Sequence, residues 1–312
     1  MAFLQLYDGD KLELSSNAVL DMDFALDLCV GSAMPCSLSI AASNGAHPQI
    51  RLGSISCEGS KGCSGIDISG VDISCGWYYF DDTTTAPILV SGSATITISD
   101  SAIMNCPSKG QRGGIHALNG GSLKVTRSSI QHSAVTSEGA FAYGRSNVIL
   151  TDVDIVCSEN HLDEYAFVSA SGNGYLSISN SNISGCVDVA VGWGVRSSQG
   201  ASLKVSDSII VRPYIACDGE DSVETNTQLT LEKVDITCNL HTISKHDLIE
   251  ASGSSLTVLT LRGSTVRGCT FETTGWGLHA RNQGVLVISQ CRIENSSIGL
   301  TTQGQKETEK RK

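Results

Sequence analysis

The strongest constraint in this chain of 312 residues is a triplet of apolar positions that returns eight times. The pattern is apolar, any residue, apolar, then four residues, then Ile or Val. It reads Ile96-Thr97-Ile98 with Ile103, Leu123-Lys124-Val125 with Ile130, Val148-Ile149-Leu150 with Ile155, and Leu176-Ser177-Ile178 with Ile183. It continues as Leu203-Lys204-Val205 with Ile210, Leu229-Thr230-Leu231 with Ile236, Leu259-Thr260-Leu261 with Val266, and Leu286-Val287-Ile288 with Ile293. The middle anchors follow one another at intervals of 25 to 30 residues. A fixed period in that range marks a solenoid, in which each repeat buries its apolar face only against its neighbours.

The local period identifies the element. Two apolar residues around one exposed residue have the period of a strand. The third anchor lies five residues beyond the second, the wrong parity for one straight strand, so the chain bends at the polar positions Asp100, Arg127, Asp152, Asn180, Asp207 and Lys233. The position two before the third anchor is mostly small (Ser101, Ser128, Ser181, Ser208, Ser264) and points inward, as a narrow corner requires. Segments such as Gly113-Gly114-Ile115, Gly192-Trp193-Gly194-Val195 and Gly275-Trp276-Gly277-Leu278 supply a third strand, entered through glycine.

Three short parallel strands per repeat predict an all-β, right-handed, single-stranded parallel β-helix of about ten coils. Ile103, Ile130, Ile155, Ile183, Ile210, Ile236, Val266 and Ile293 should form its inner ladder. Ile66-Asp67-Ile68 with Ile73 and Leu38-Ser39-Ile40 extend the pattern backwards, the last losing its third anchor at Gly45. The division expected is an N-terminal cap or irregular first coil over 1–37, the β-helix over 38–300, and a charged, disordered tail over 301–312. The N-terminus shows no signal-peptide pattern and the tail no cap, as expected of a piece of a longer chain.

A net charge of −11 argues against non-specific binding to nucleic acid or anionic membrane, and no apolar run is long enough for direct membrane insertion. Twelve cysteines raise the question of redox state. Cys157 and Cys186, like Cys238 and Cys269, fall at nearly the same place on adjacent coils. They are read as small buried thiols in preference to cross-coil disulfides. Cys57, Cys63 and Cys75 lack the spacing of a zinc site, so no metal is expected. Asn182-Ile183-Ser184 and Asn295-Ser296-Ser297 are glycosylation sequons, relevant only to a secreted chain.

The run Gly113-Gly114-Ile115-His116-Ala117-Leu118-Asn119-Gly120-Gly121-Ser122-Leu123-Lys124-Val125 resembles one repeat of the pectin-lyase-like superfamily, and within it most resembles polymorphic outer membrane protein repeats. This resemblance implies the β-helix architecture and a place at the cell surface or outside the cell. The family's Phe-x-x-Asn tetrapeptide is absent, and cysteine often stands where such repeats favour asparagine.

The site patterns of β-helix enzymes do not converge. Asp152, Asp154, Asp207 and Asp235 sit in different columns, and Arg292-Ile293-Glu294 has glutamate where polygalacturonase-like enzymes carry lysine. The densest acid–imidazole cluster is Glu159 to Glu164, in which His161, Asp163 and Glu164 are the candidate acid–base residues. The outward column Thr97, Lys124, Ile149, Ser177, Lys204 is too irregular for an ice-binding face, and no phosphate-binding glycine loop is present. The reading that follows is a non-catalytic scaffold for adhesion or surface recognition, with a carbohydrate or a cell-surface protein as partner and no cofactor. The alternatives are a carbohydrate-active lyase or hydrolase using the acidic loop, and an internal module of a larger surface protein.

Overall fold

A computed structural model describes the chain apart from residues 1–9, 16–18, 28–35, 44–46, 76–85, 107–113, 141–143, 158–167, 187–193, 213, 220–225, 239–247, 254–256, 271–276 and 302–312. The described residues wind into a right-handed parallel β-solenoid with a single short 3-10 turn at Gly59–Lys61. Each turn contributes to three parallel sheets. The first holds the paired-anchor strands, among them Thr95–Ser99, Tyr175–Ser179 and Val258–Arg262. The second holds the third-anchor strands, such as Ala102–Met104 and Asn182–Ser184. The third holds the glycine-entered strands, such as Ile115–Leu118 and Val195–Ser198.

The register is that of the apolar repeat. Ile103, Ile130, Ile155, Ile183, Ile210, Ile236, Val266 and Ile293 pair in that order, each with the next. All but Ile293, which packs half-buried in the final coil, are at most 1% exposed. Stacking at the ~4.8 Å strand spacing turns the column into a continuous dry ladder. Each such side chain contributes roughly 1.5–3 kcal/mol relative to exposure.

About seven turns are regular, fewer than the ten expected, and they run from Thr95–Ser99 to Val285–Ser289. Earlier strands keep the pairing but lengthen or bulge the corners. Asp10–Leu14 lies in register against Leu38–Ala42, and Val19–Asp27 pairs with Gln49–Ser56 across a bulge. The third anchor of the early coil is not lost at Gly45. Ile50 pairs with Ile73, so the column continues after a longer corner that shifts the anchor five residues along.

The bend between the first and second sheets is one residue deep. Asp100, Arg127, Asp152, Asn180, Asp207, Lys233 and Gln290 all sit at φ between 46° and 55°, and Gly263 at 58°. This left-handed conformation costs a non-glycine residue free energy. Stacking offsets it, because corner amides bond the coil ahead: Asp100 N–H donates to Thr126 O, and Asp207 N–H to Glu232 O. The small inward residue beside the bend has a second duty. Ser101, Ser181 and Ser208 each donate a hydroxyl proton to the carbonyl two residues earlier. Their oxygens accept the buried amides of Val71, Val153 and Ser181 on the preceding coil.

The cysteines expected as thiols are largely disulfides. Cys75 bonds Cys106, Cys157 bonds Cys186, and Cys238 bonds Cys269, with Cα separations of 4.8, 4.8 and 5.0 Å. Adjacent coils already hold these Cα atoms at bonding distance. Cys57 bonds Cys63, so neither it nor Cys75 is a zinc ligand. Cys217 and Cys291 are free.

These bonds reveal a longer period. Cys106, Cys186 and Cys269 recur every three coils, and each is followed by a glycine: Gly114, Gly194 and Gly277. A Cβ on these glycines would lie 1.7, 1.8 and 1.6 Å from the carbonyl oxygen of the respective cysteine. The backbone therefore leaves and returns through one crowded point at each of these corners. The intervening coil has no cysteine there; Ser133 takes the position, its hydroxyl accepting the Cys106 amide proton at 3.0 Å.

Candidate functional site

Alternation within the third sheet decides which side chains face out. Ile115 and Ala117 are buried in the core, so His116 and Leu118 lie on the outer face. The same parity on later coils brings forward Thr136 and Glu138, Ser169, Arg196, Asp218, Glu250 and Ser252, and His279 and Arg281. An outer face of a solenoid ordinarily holds solvated side chains. Here His116, Thr136, Glu250, Ser252 and His279 are buried.

Contacts run between coils rather than along strands. His116 Nε2 lies 3.3 Å from Glu138 Oε2 without the geometry of a directed hydrogen bond, and both of its ring nitrogens are buried without a hydrogen-bond partner. The Arg196 guanidinium donates from Nη2 to Asp218 Oδ2 at 2.9 Å, and Ser252 Oγ donates to the other Asp218 oxygen at 3.3 Å. Arg196 Nε is buried with no partner of its own. Ser169 Oγ donates to Thr136 Oγ1 at 3.2 Å. Arg281 Nε bonds Glu250 Oε1. The stripe is thus a row of paired charges and hydroxyls laid across the coils. Its reachable parts are Glu138 and Arg281, 40% and 44% exposed, and Arg196 and Asp218, 24% and 28% exposed.

The stripe borders the corner at which the second sheet passes to the third. Residues 76–85, 107–113, 158–167, 187–193, 239–247 and 271–276 fall in sequence between strands of the second and third sheets. His161, Asp163 and Glu164 belong to 158–167 and lie outside the described residues, as do Trp193 and Trp276. The other carboxylates considered lie elsewhere. Asp152 and Asp207 are corner residues, and Asp154 and Asp235 are exposed on the second sheet. Asn182 is exposed on the second sheet and Asn295 at a left-handed corner. Among the described residues no cluster of three or more His, Cys, Asp and Glu has the form of a metal site, and no helix is long and apolar enough to cross a membrane.

His116, Glu138, Arg196, Asp218, Glu250 and Arg281 carry no catalytic signature and lie outside the acid–imidazole cluster Glu159 to Glu164, so no motif singles them out. The signal was the parity of the glycine-entered strand, which puts a basic residue second in Ile115-His116, Val195-Arg196 and Leu278-His279. Comparison with known proteins returned no matching family model, no similar curated protein and no similar solved structure. The β-helix architecture implied by the resemblance is present; kinship with the pectin-lyase-like superfamily or with polymorphic outer membrane protein repeats is matched by no family model.

Proposed function

We propose that this chain is a non-catalytic recognition scaffold, acting outside the cell or at its surface, that holds an extended hydroxyl-rich ligand along the outer face of the third sheet. The observation that carries this reading is the row of inter-coil pairs from His116–Glu138 through Arg196–Asp218 to Glu250–Arg281. Carboxylates and guanidinium groups each offer two parallel hydrogen-bonding atoms, which suits the vicinal hydroxyls of a sugar ring. Their pairing leaves little net field, favouring a ligand bound through hydroxyls over one bound through charge. The ~4.8 Å rise between strands is close to the length of one pyranose unit in an extended chain. A wall of parallel sheet supplies rigid, preorganised groups at low entropic cost. The disulfides support an oxidising compartment.

A glycan array probed with the intact chain, alongside Asp218→Asn and Glu138→Gln, tests this reading. Selective retention of extended glycans, weakened in both variants, is the expected result. Absence of binding to every glycan, or binding indifferent to both substitutions, overturns it. The acidic loop named for a hydrolase or lyase lies outside the described residues, and the His116–Glu138 pair is an imidazole–carboxylate contact in the stripe that would serve such a reading. Product release from an acidic polysaccharide, lost in His116→Gln, would favour that reading instead.

A further inference from the structure

The stripe is not uniform, and its variation has the same three-coil period as the disulfides. His116 and Arg196 hold the second position of the strands that follow Cys106 and Cys186, and each contacts an acid in the fourth position of the next coil, Glu138 and Asp218. Between them lies a rung of small hydroxyls, Ser169 and Ser171. The spacing from His116 to Arg196 equals that from Glu138 to Asp218, 80 residues in each case, so the whole pair repeats as a unit. His279 stands at the next equivalent position, three coils on, where its strand follows Cys269.

Resting on the recognition reading above, we propose that the third sheet carries repeated, equivalent ligand stations three coils apart, at His116–Glu138 and Arg196–Asp218, and that its ligand is a polymer with a matching repeat. Three rungs of ~4.8 Å set the stations ~14 Å apart. Each station presents reachable polar groups, Glu138 at one and Arg196 with Asp218 at the other, and beside them a buried polar atom that has no partner, a His116 ring nitrogen at the first and Arg196 Nε at the second. A buried polar atom without a partner costs roughly 1–3 kcal/mol, and the same cost recurs at equivalent positions of the repeat. A packing accident would not keep the period of the corner cysteines and glycines. A ligand that spans both stations gains effective concentration at the second, so affinity should climb steeply with length, by about 100-fold or more once both are reached.

Calorimetric titration with β-1,4-linked glucose and galacturonate oligomers, from dimer to dodecamer, tests the stations using the whole chain. Short oligomers should bind weakly with two equivalents per chain. Long ones should bind with one equivalent and the affinity step. Asp218→Asn should reduce the short-oligomer stoichiometry to one and abolish the step while leaving weak binding at the other station. Glu138→Gln should do the same in mirror image, and matched thermal melts show that both variants are folded. Loss of all binding in either single variant, or a smooth length dependence without a step, overturns separate stations while leaving glycan recognition standing. No binding of any oligomer to the unaltered chain overturns the stations together with the reading beneath them.

Discussion

The hydroxyl of Ser181 accepts the amide proton of Val153, 3.1 Å away on the preceding coil, and donates its own proton to the Ser179 carbonyl at 2.7 Å. The amide sits at a corner where no strand partner reaches it, so the serine completes the backbone hydrogen bonding of another coil. Ser181→Ala leaves that buried N–H unsatisfied and should cost about 1–3 kcal/mol. Ser177→Ala, on the outward side of the same strand group, should change stability by less than about 0.5 kcal/mol. Urea denaturation of the two variants measures the contrast.

Cys157–Cys186 closes a segment of 29 residues between coils already stacked in register. In the chain-entropy account a loop of that size is worth about 3–4 kcal/mol, chiefly by restricting the unfolded chain. Replacing both cysteines with alanine should lower stability by about that amount while leaving the strand register intact. Denaturation midpoints compared with far-ultraviolet circular dichroism of the folded states check both halves of the expectation.

The two free cysteines among the described residues should differ in reactivity. Burial is the main cause that pushes the Cys217 thiol up to about 12, with the neighbouring Asp218 charge adding to it. The reacting species is the thiolate, which Cys217 does not supply at neutral pH. Cys291 is half-buried in the final coil. Iodoacetamide at pH 8 should therefore label Cys291 in the native protein and reach Cys217 only after denaturant is added, as peptide mass spectrometry would show.

The Arg127 guanidinium bonds both carboxylate oxygens of Asp100 at 2.7 Å and holds that carboxyl below its ordinary range, principally through the hydrogen bond. A carboxyl whose folded value is lowered adds stability above its unfolded value, and that stability is lost as pH falls through the folded one. The pair is exposed, so the effect is small and screened by salt. Asp100→Asn should melt slightly below the parent at pH 7, and the gap should close as pH drops well below the ordinary aspartate value of about 3.9. A gap that widens in acid would contradict the assignment.

The ladder from Ile103 to Ile293 was legible because burial imposes one residue type at one spacing, and repetition averages out local exceptions. The early coils were harder to read. The corner before Ile50 is longer, and a fixed offset then points to Gly45. The disulfides were undecidable from spacing, since a stacked column brings cysteines together whether or not they bond. The polar stripe was hidden for another reason. Its pairs, such as Arg196 with Asp218, join residues 22 apart through the pitch of the coil, so no local motif contains both partners.

Two glycines near the same solenoid surface should respond oppositely to substitution, because one is constrained by space and the other by backbone angle. At Gly194 a Cβ would sit 1.8 Å from the Cys186 carbonyl oxygen, a backbone atom that cannot swing aside. Gly194→Ala must displace the corner at the Cys157–Cys186 bond and should cost at least about 1–3 kcal/mol, the range for overpacking. At Gly263 the φ is +58° and a Cβ would meet only Lys233 Cγ at 3.7 Å, which is ordinary contact. Equivalent corners already hold Asp100, Asn180 and Asp207. Asparagine tolerates this conformation and restricts the unfolded chain more than glycine does, so Gly263→Asn should be neutral or stabilising by up to about 1 kcal/mol. Paired thermal melts decide it. A stable Gly194→Ala or a strongly destabilised Gly263→Asn would mean that these corners are not built as described.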